Sequence, residues 1–300
     1  MKEIIYAIFL SFFLCGLCGN AEAKKKKEVK KAIKREVQTP YDKLFKGKKA
    51  FTVNGLMKMH LMAGKVYAEF PIELLNRDLA LTSSIEDISD NGEGVVGQFA
   101  GRVNQFRFTL QDSMLQARLV RRYGVKNTGM GKNADQIIER SNTPGIFQSY
   151  KILAYTPDKK AVVVDMTELF LESSRLTNPF PSYAGNSLYG FVQRIHKFQS
   201  QRSELLGICG NDNSMSVRCN LGFNVDRLVL GSFMQAKDVP VSVTVNKILM
   251  LLPEDPMRPR LADSRIGVNA IIQTELPDVC QGIKTYYITK RWRIEPVDEI

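Results

Sequence analysis

Few residues of this sequence have the side chains that acid–base or metal chemistry needs. The chain of 300 residues contains two histidines, His60 and His196, and neither is followed by a second histidine four residues later. The helical HExxH spacing that lets two histidines bind one zinc ion is therefore absent, and no serine lies in a GxSxG turn. Acidic pairs such as Glu168 and Glu172 are typical of solvated faces. From these patterns we predict neither catalytic nor metal-binding residues.

Three cysteines, Cys209, Cys219 and Cys280, follow the N-terminal apolar segment. Cys209 and Cys219 flank a turn-forming run from Gly210 to Ser214, and this pattern indicates a hairpin-like loop. In an oxidising compartment a disulfide between Cys209 and Cys219 would close this loop, and buried or free thiols are the alternative. A structural zinc site is not expected, because these three cysteines form no CxxC motif and have no histidine nearby.

The basic character of the chain is concentrated near its N-terminus. The formal net charge is +11, and residues 24–50 contain 12 Lys/Arg against three acidic residues. These follow a largely apolar run of 14 residues, Ile4 to Leu17, and the small-x-small sequence Ala21-Glu22-Ala23. At about 1.5 Å per residue the apolar run spans roughly 21 Å, less than a membrane-spanning helix needs. We therefore predict a signal peptide over residues 1–23 and a basic linker over residues 24–40.

The signal peptide and the charge distribution predict the localisation of the chain and its partners. A signal peptide makes the chain periplasmic, cell-surface or secreted. Residues 51–300 are nearly balanced in charge, so we expect no nucleic-acid partner. The stripe of Val29, Ile33 and Val37 indicates either a helix on an anionic surface or a solvated linker helix. Membrane contact is expected only through an uncleaved signal or a lipid anchor, for which Cys15 and Cys18 are the candidates.

After Pro40 the apolar residues mostly alternate with polar ones, which is typical of β-strands. Residues 56–70 contain two alternating runs around a turn, and residues 147–166 contain two runs with strand signals around a turn, so both predict β-hairpins. Residues 167–174 predict a short helix, and residues 178–190 predict irregular structure. The predicted fold class is mainly β, with antiparallel hairpins and meanders forming a sheet or sandwich and a few short helices. We predict a small β domain over residues 41–95 and a larger β-rich domain over residues 96–300.

Several segments together resemble one protein family. They are Tyr41–Gly47, Gly64–Pro71, Ile88–Gly92, Ala161–Thr167, Pro256–Gly267 and Arg291–Pro296. Their order and sequence resemble the N-terminal half of a family of exported bacterial zinc-dependent metalloproteases. Members of that family carry two domains of unknown function ahead of a metzincin-like catalytic domain. The resemblance covers residues 40–298 and departs from the family at Val268-Asn269, where aromatic residues are usual.

The resemblance implies a noncatalytic part of a protease. Zinc and the HExxH helix would belong to a catalytic domain that this sequence lacks, so no cofactor and no peptidase activity are expected from this chain alone. The implied partner is such a catalytic domain, and a free-standing exported binding or surface module is the alternative. Arg218-Cys219-Asn220 is faintly similar to the cysteine-switch segment of metzincin propeptides. Candidate residues for docking onto a catalytic domain are Arg260, Asp263, Arg265, Arg291, Trp292 and Arg293.

Overall fold

A computed structural model of the chain describes most of the residues after the basic linker. The described residues are 38–101, 103–120, 125–127, 136, 140–172, 177–180, 183–187, 190–230, 234–254, 257–265, 267, 269–276 and 284–290. The predicted signal peptide over residues 1–23 and nearly all of the predicted linker lie outside this set. Within the described part, none of the helices has the length and apolar character to cross a membrane.

A short helix and two hairpin strands open the described part of the chain. Helix α1 (Pro40–Phe45) begins at Pro40, where the fixed φ of proline suits a first helical turn. Strand β1 (Phe51–Val53) pairs with β2 (Lys58–Met62), which pairs with β3 (Lys65–Pro71). Ala63 and Gly64 both have positive φ, as a two-residue hairpin turn requires. The hairpin predicted over residues 56–70 is confirmed.

The next elements are again antiparallel strands. A 3-10 helix (Ile72–Leu74) leads into β4 (Asp78–Ile88), and β5 (Asn104–Gln111) and β6 (Met114–Leu119) form a hairpin. After β7 (Val125–Asn127), strands β8 (Gly145–Tyr155) and β9 (Ala161–Asp165) form the second predicted hairpin. Helix α2 (Thr167–Leu171) confirms the predicted short helix, although it is shorter than expected.

Four further strands continue this sheet. Strand β10 (Tyr183–Ser187) is followed by the long strands β11 (Gly190–Asn211), β12 (Ser214–Leu230) and β13 (Met234–Leu251). The prediction of irregular structure over residues 178–190 is wrong at β10, which pairs only with β11 at the end of the sheet. The prolines, asparagines and glycines in this stretch are typical of loops, but an edge strand such as β10, which pairs with one neighbouring strand, tolerates them.

The described strands form two sheets. The large sheet has twelve strands in the order β1-β2-β3-β9-β8-β6-β5-β4-β13-β12-β11-β10. A small sheet has the order β15-β14-β7, where β14 is Ala270–Leu276 and β15 is Lys284–Thr289. The predicted mainly β fold class is confirmed. Strands from both sides of residue 95 contribute to the large sheet, while the proposed domain division at that residue stays a prediction.

Two groups of buried apolar side chains make up the core. The larger group brings together strands distant in sequence, with Met59, Phe70, Phe106 and Met215 among its members. Because β2 and β12 both contribute, the large sheet must curve so that its inner face packs on itself. The smaller group lies around β12 and β13 and includes Phe223.

Candidate functional site

The segment predicted to dock onto a catalytic domain lies along the edge of the small sheet. Its backbone pairs with β15: Ala262 N–H donates to the Tyr287 carbonyl at 2.7 Å, and Thr289 N–H donates to the Arg260 carbonyl at 2.9 Å. A β-bridge joins Leu261 to Ile288. The structure therefore places Arg260 and Asp263 beside β15, the strand that leads toward Arg291, Trp292 and Arg293, which lie outside the described residues.

Asp263 and Arg265 form a local ion pair at this edge. Arg265 Nε donates to Asp263 Oδ1 at 2.9 Å, and its terminal nitrogen lies 2.5 Å from Oδ2. This guanidinium and the Arg265 backbone N–H hold the pKa of Asp263 below its ordinary value. Because Arg265 is largely exposed, the pair shapes the turn and contributes little to stability.

The small sheet exposes large apolar side chains. Leu261 is 68% exposed, Ile272 is 63% exposed, and Tyr287 is 56% exposed. Ile272 and Tyr287 are register partners and therefore lie on one face, while Leu261 lies with Ile271 and Ile288 on the other face. Sequence reasoning missed this exposure, because alternation alone does not tell which apolar residues lack a covering layer. We call Ile272 and Tyr287, which share one face, the apolar patch of the small sheet.

The structure does not pair Cys209 with Cys219, and both are free thiols. The predicted hairpin is present, but Cys209 lies opposite Ser216 and Cys219 lies opposite Leu205. An offset of three residues separates the two Cα atoms by about 10 Å, beyond the reach of a disulfide. The third cysteine, Cys280, lies outside the described residues.

Cys219 faces the protein interior, together with Lys247. The Cys219 thiol donates to the Phe170 carbonyl at 3.3 Å, and Lys247 Nζ donates to the Glu172 carbonyl at 3.0 Å. Both acceptors lie at the C-terminal end of α2, where backbone carbonyls lack helical partners. Burial raises the pKa of Cys219 to about 11 and lowers the pKa of Lys247 to about 8. A buried, protonated thiol does not fit the metal-binding role of a cysteine switch.

His60 belongs to a buried cluster that fixes α1 to the sheet. Its Nε2 lies 3.0 Å from Glu69 Oε1, and its Nδ1 lies 2.8 Å from Thr52 Oγ1. Tyr41 of α1 donates to the same Glu69 oxygen at 2.6 Å, and the Phe45 ring packs on the imidazole. Burial would raise the pKa of Glu69, but the hydrogen bonds from His60 and Tyr41 lower it. The aromatic cover indicates a structural clamp.

His196 forms the second buried histidine contact. Its Nε2 lies 2.5 Å from Glu93 Oε2, and both side chains are almost fully buried. Arg227 Nε donates to the other Glu93 oxygen at 2.7 Å, and the Phe180 ring stacks on the imidazole. Among the described residues His196 Nδ1 has no hydrogen-bond partner, so Nε2 is the ring nitrogen that binds Glu93. Sequence reasoning could not pair residues 103 positions apart.

One cleft among these elements has a volume of about 820 Å³. Tyr41, Lys58, Glu69, Asp158 and Lys160 line it, so both charge signs are present. In the described part of the chain, no group of three or more His, Cys, Asp or Glu side chains is placed to hold a metal ion. The arrangement of titratable groups therefore points to clamps within the fold, and the apolar patch of the small sheet is the better candidate site.

The fold and this patch define a mainly β protein with an exposed apolar sheet beside its C-terminal segment. A family model described as a domain of unknown function (DUF5117) matches residues 97–297, about two thirds of the chain. The chain belongs to this family. A second model, also described as a domain of unknown function (DUF5118), matches residues 38–88. No curated protein and no solved structure matches the chain.

Proposed function

We propose that this chain is the noncatalytic scaffold or prodomain-like part of an exported zinc-dependent metalloprotease, and that it packs on the catalytic domain through its small sheet. The sequence resemblance supports the protease assignment, and two models of domains of unknown function match consecutive parts of the chain, in keeping with the two such domains that the resemblance implies. The observation that carries the docking role is the apolar patch of the small sheet. Zinc and the general base belong to the partner.

The exposure of this patch is energetically unfavourable for an isolated module. Burying one large apolar side chain contributes about 1.5–3 kcal/mol, and Ile272 and Tyr287 each leave more than half of their surface in water. Exposed apolar residues that lie together are typical of protein interaction sites. Tyr287 is also of a residue type that is enriched among the residues that dominate binding energy at interfaces.

A charged residue beside the patch indicates the chemistry of the partner surface. Arg260 is exposed at the edge of the small sheet, next to Thr289 of β15. A complementary catalytic domain therefore presents an apolar centre with an acidic group at its rim. Arg260 and Asp263 would act by positioning the docking segment on β15, where their backbone already lies.

The proposal is tested by binding between the purified chain and a catalytic domain taken from a relative that carries HExxH after the same two domains. The variant Ile272→Ser/Tyr287→Ser should weaken binding at least about tenfold, because two central side chains lose their apolar contacts. The matched control is Ile146→Ser/Tyr155→Ser, which changes two exposed residues of β8. It should bind as the unchanged chain does.

Two results would overturn the proposal. One is the absence of binding by the unchanged chain, measured by calorimetry with both proteins folded. The other is equal binding by both double variants. A cleavage assay with the chain alone adds an independent test, since chelator-sensitive peptidase activity would contradict a noncatalytic role.

A further inference from the structure

A second cleft, with a volume of about 480 Å³, opens between the β1–β2 hairpin and strand β11. Phe51 and Leu61 line it from the hairpin, and Leu206, Ile208 and Cys209 line it from β11. Phe51 and Leu61 are register partners, so their side chains lie on one face of the hairpin. Phe51 is 60% exposed, and Leu206 is 43% exposed. Apolar walls around a cleft of this volume are typical of a binding site.

The backbone edges of β1 and β11 flank this cleft. Residues 205–211 of β11 pair with β12 on one side, and β10 covers the other side only at residues 190–194. Among the described strands β1 pairs with β2 alone, because it stands at the end of the large sheet. Within the described residues one backbone hydrogen bond joins the hairpin to β11, from Leu56 N–H to the Asn211 carbonyl at 2.7 Å. Both edges therefore present backbone groups that no described strand pairs with.

The edge of β11 lacks the charged residues and proline that commonly protect a sheet edge. Native edges use such residues because they prevent a further strand from pairing. The segment Leu205–Asn211 contains neither a charged residue nor proline. Its register shift lies between Leu205 and Gly207, and residues 207–211 pair regularly with β12. An uncharged and regularly paired edge can accept one more strand.

The charges around the cleft indicate an uncharged occupant. Arg218 and Glu86 are the charged residues among its described lining, and they form an ion pair with one another. Neither residue therefore leaves a charge for an occupant to neutralise. Burying an unpaired charge beside apolar side chains is unfavourable, so the walls at Phe51 and Leu206 favour apolar side chains instead.

We propose that this cleft binds an extended, uncharged segment of another polypeptide, which adds a strand to the edge of β11. The backbone of the segment hydrogen-bonds to β11 within residues 207–210, and its alternate side chains enter the cleft beside Phe51 and Leu206. Strand addition takes its affinity from main-chain hydrogen bonds and its specificity from pockets for alternate side chains. This site is independent of the metalloprotease proposal, because it uses other strands than the small sheet and needs no catalytic domain.

The experiment measures binding of fluorescein-labelled heptapeptides with blocked termini to the folded full-length chain by fluorescence anisotropy. The probe is a peptide of alternating valine and threonine. One control peptide has proline at its centre, which removes a backbone donor and prevents strand pairing. The other control has glutamate at the valine positions. Both controls should bind at least about tenfold more weakly than the probe.

Two variants of the chain locate the site. Leu206→Lys places a charge on the edge of β11 and should weaken binding of the probe at least about tenfold. The matched control Tyr155→Lys adds the same charge at an exposed residue of β8 and should bind as the unchanged chain does. Circular dichroism establishes that each variant is folded.

The Cys209 thiol provides a second measurement, because Cys209 lines the cleft and is exposed. Bound probe should slow the reaction of Cys209 with a maleimide, as mass spectrometry of labelled peptides would show. An unchanged rate at saturating probe would place the peptide elsewhere and contradict the proposal.

Three further results would overturn strand addition at this edge. One is the absence of saturable binding by the probe. Another is equal binding by the probe and the proline peptide, which would make the cleft a site for apolar groups alone. The third is an unchanged chain that sediments as a dimer and a Leu206→Lys variant that sediments as a monomer, which would assign the edge to a second copy of this chain.

Discussion

The buried pair of Lys247 and Cys219 allows a prediction of opposite pH dependences at one site. Lys247 is 1% exposed, and its pKa is about 8 in the folded chain against 10.5 for an ordinary lysine. Between these values the unfolded chain holds a proton that the folded chain has released. The free energy of unfolding contributed by Lys247 therefore rises with pH from about 8 to 10.5, and below pH 8 the cost of burying the ammonium is present in full.

Cys219 has the opposite sign. Its pKa is about 11 in the folded chain against 9.0 for an ordinary thiol, so the unfolded chain loses its proton first. The stability that Cys219 contributes is complete below pH 9 and decreases as pH rises toward 11. In the unchanged protein the two groups partly cancel, and each single variant should reveal the effect of the group that remains.

The variants are Lys247→Met, Cys219→Ala and the double variant. The double variant is the reference, because subtracting its free energy of unfolding removes the titrations of all other groups. One pKa unit corresponds to about 1.4 kcal/mol. From about pH 7 to about pH 10, the free energy of unfolding of Cys219→Ala should rise by about 3 kcal/mol relative to the reference, because about two of these pH units lie above the folded pKa of Lys247. That of Lys247→Met should fall by about 1 kcal/mol relative to the reference.

The assay is urea unfolding followed by circular dichroism at a series of pH values, with the slope of each transition checked for two-state behaviour. Parallel stability curves for all three variants would refute the assignment of Lys247 and Cys219 as buried groups at the end of α2. A gain in Lys247→Met with rising pH would refute the sign of the reasoning.

Three further predictions concern the hairpins and the clamp around α1. Glu69→Gln should lower the free energy of unfolding by about 2 kcal/mol near neutral pH. Since the folded pKa of Glu69 is lowered, the difference between the variant and the unchanged chain in urea unfolding should vanish as pH falls through that pKa. A difference that stays constant with pH would contradict this. Cys209 should react with a maleimide in the native protein and Cys219 only after unfolding, as mass spectrometry of labelled peptides would show; equal native labelling would refute the burial of Cys219. Gly55→Ala should lower the free energy of unfolding in urea by about 2 kcal/mol, because the new Cβ would lie 2.7 Å from a backbone carbonyl oxygen at the tip of the β11–β12 hairpin. The control Gly145→Ala places its Cβ in open space and should lower the free energy of unfolding by less than half as much.

Sequence patterns predicted the parts of the fold that local physics determines. The hairpin of β2 and β3 follows from alternation on both sides of Ala63-Gly64, and the hairpin of β8 and β9 has the turn Thr156 to Lys160 between two strand-forming runs. In each case apolar side chains pack into the core and the turn residues tolerate the required backbone angles.

The long strand β11 was less predictable, because its pairing with β12 is irregular. Register shifts occur between Gln199 and Glu204 and between Leu205 and Gly207. Each shift breaks the period-two pattern by which a strand is recognised. The contact of Glu93 with His196 and the exposure of Ile272 depend on tertiary packing, and no local pattern in the sequence encodes either of them.

The most direct test of the proposed docking role is amide hydrogen exchange of the chain with and without the HExxH catalytic domain of a relative. We expect slower exchange in the two segments that carry the apolar patch, residues 270–276 and 284–289. The large sheet should exchange at the same rate in both samples. Complex formation without added protection in these two segments would contradict docking through the small sheet.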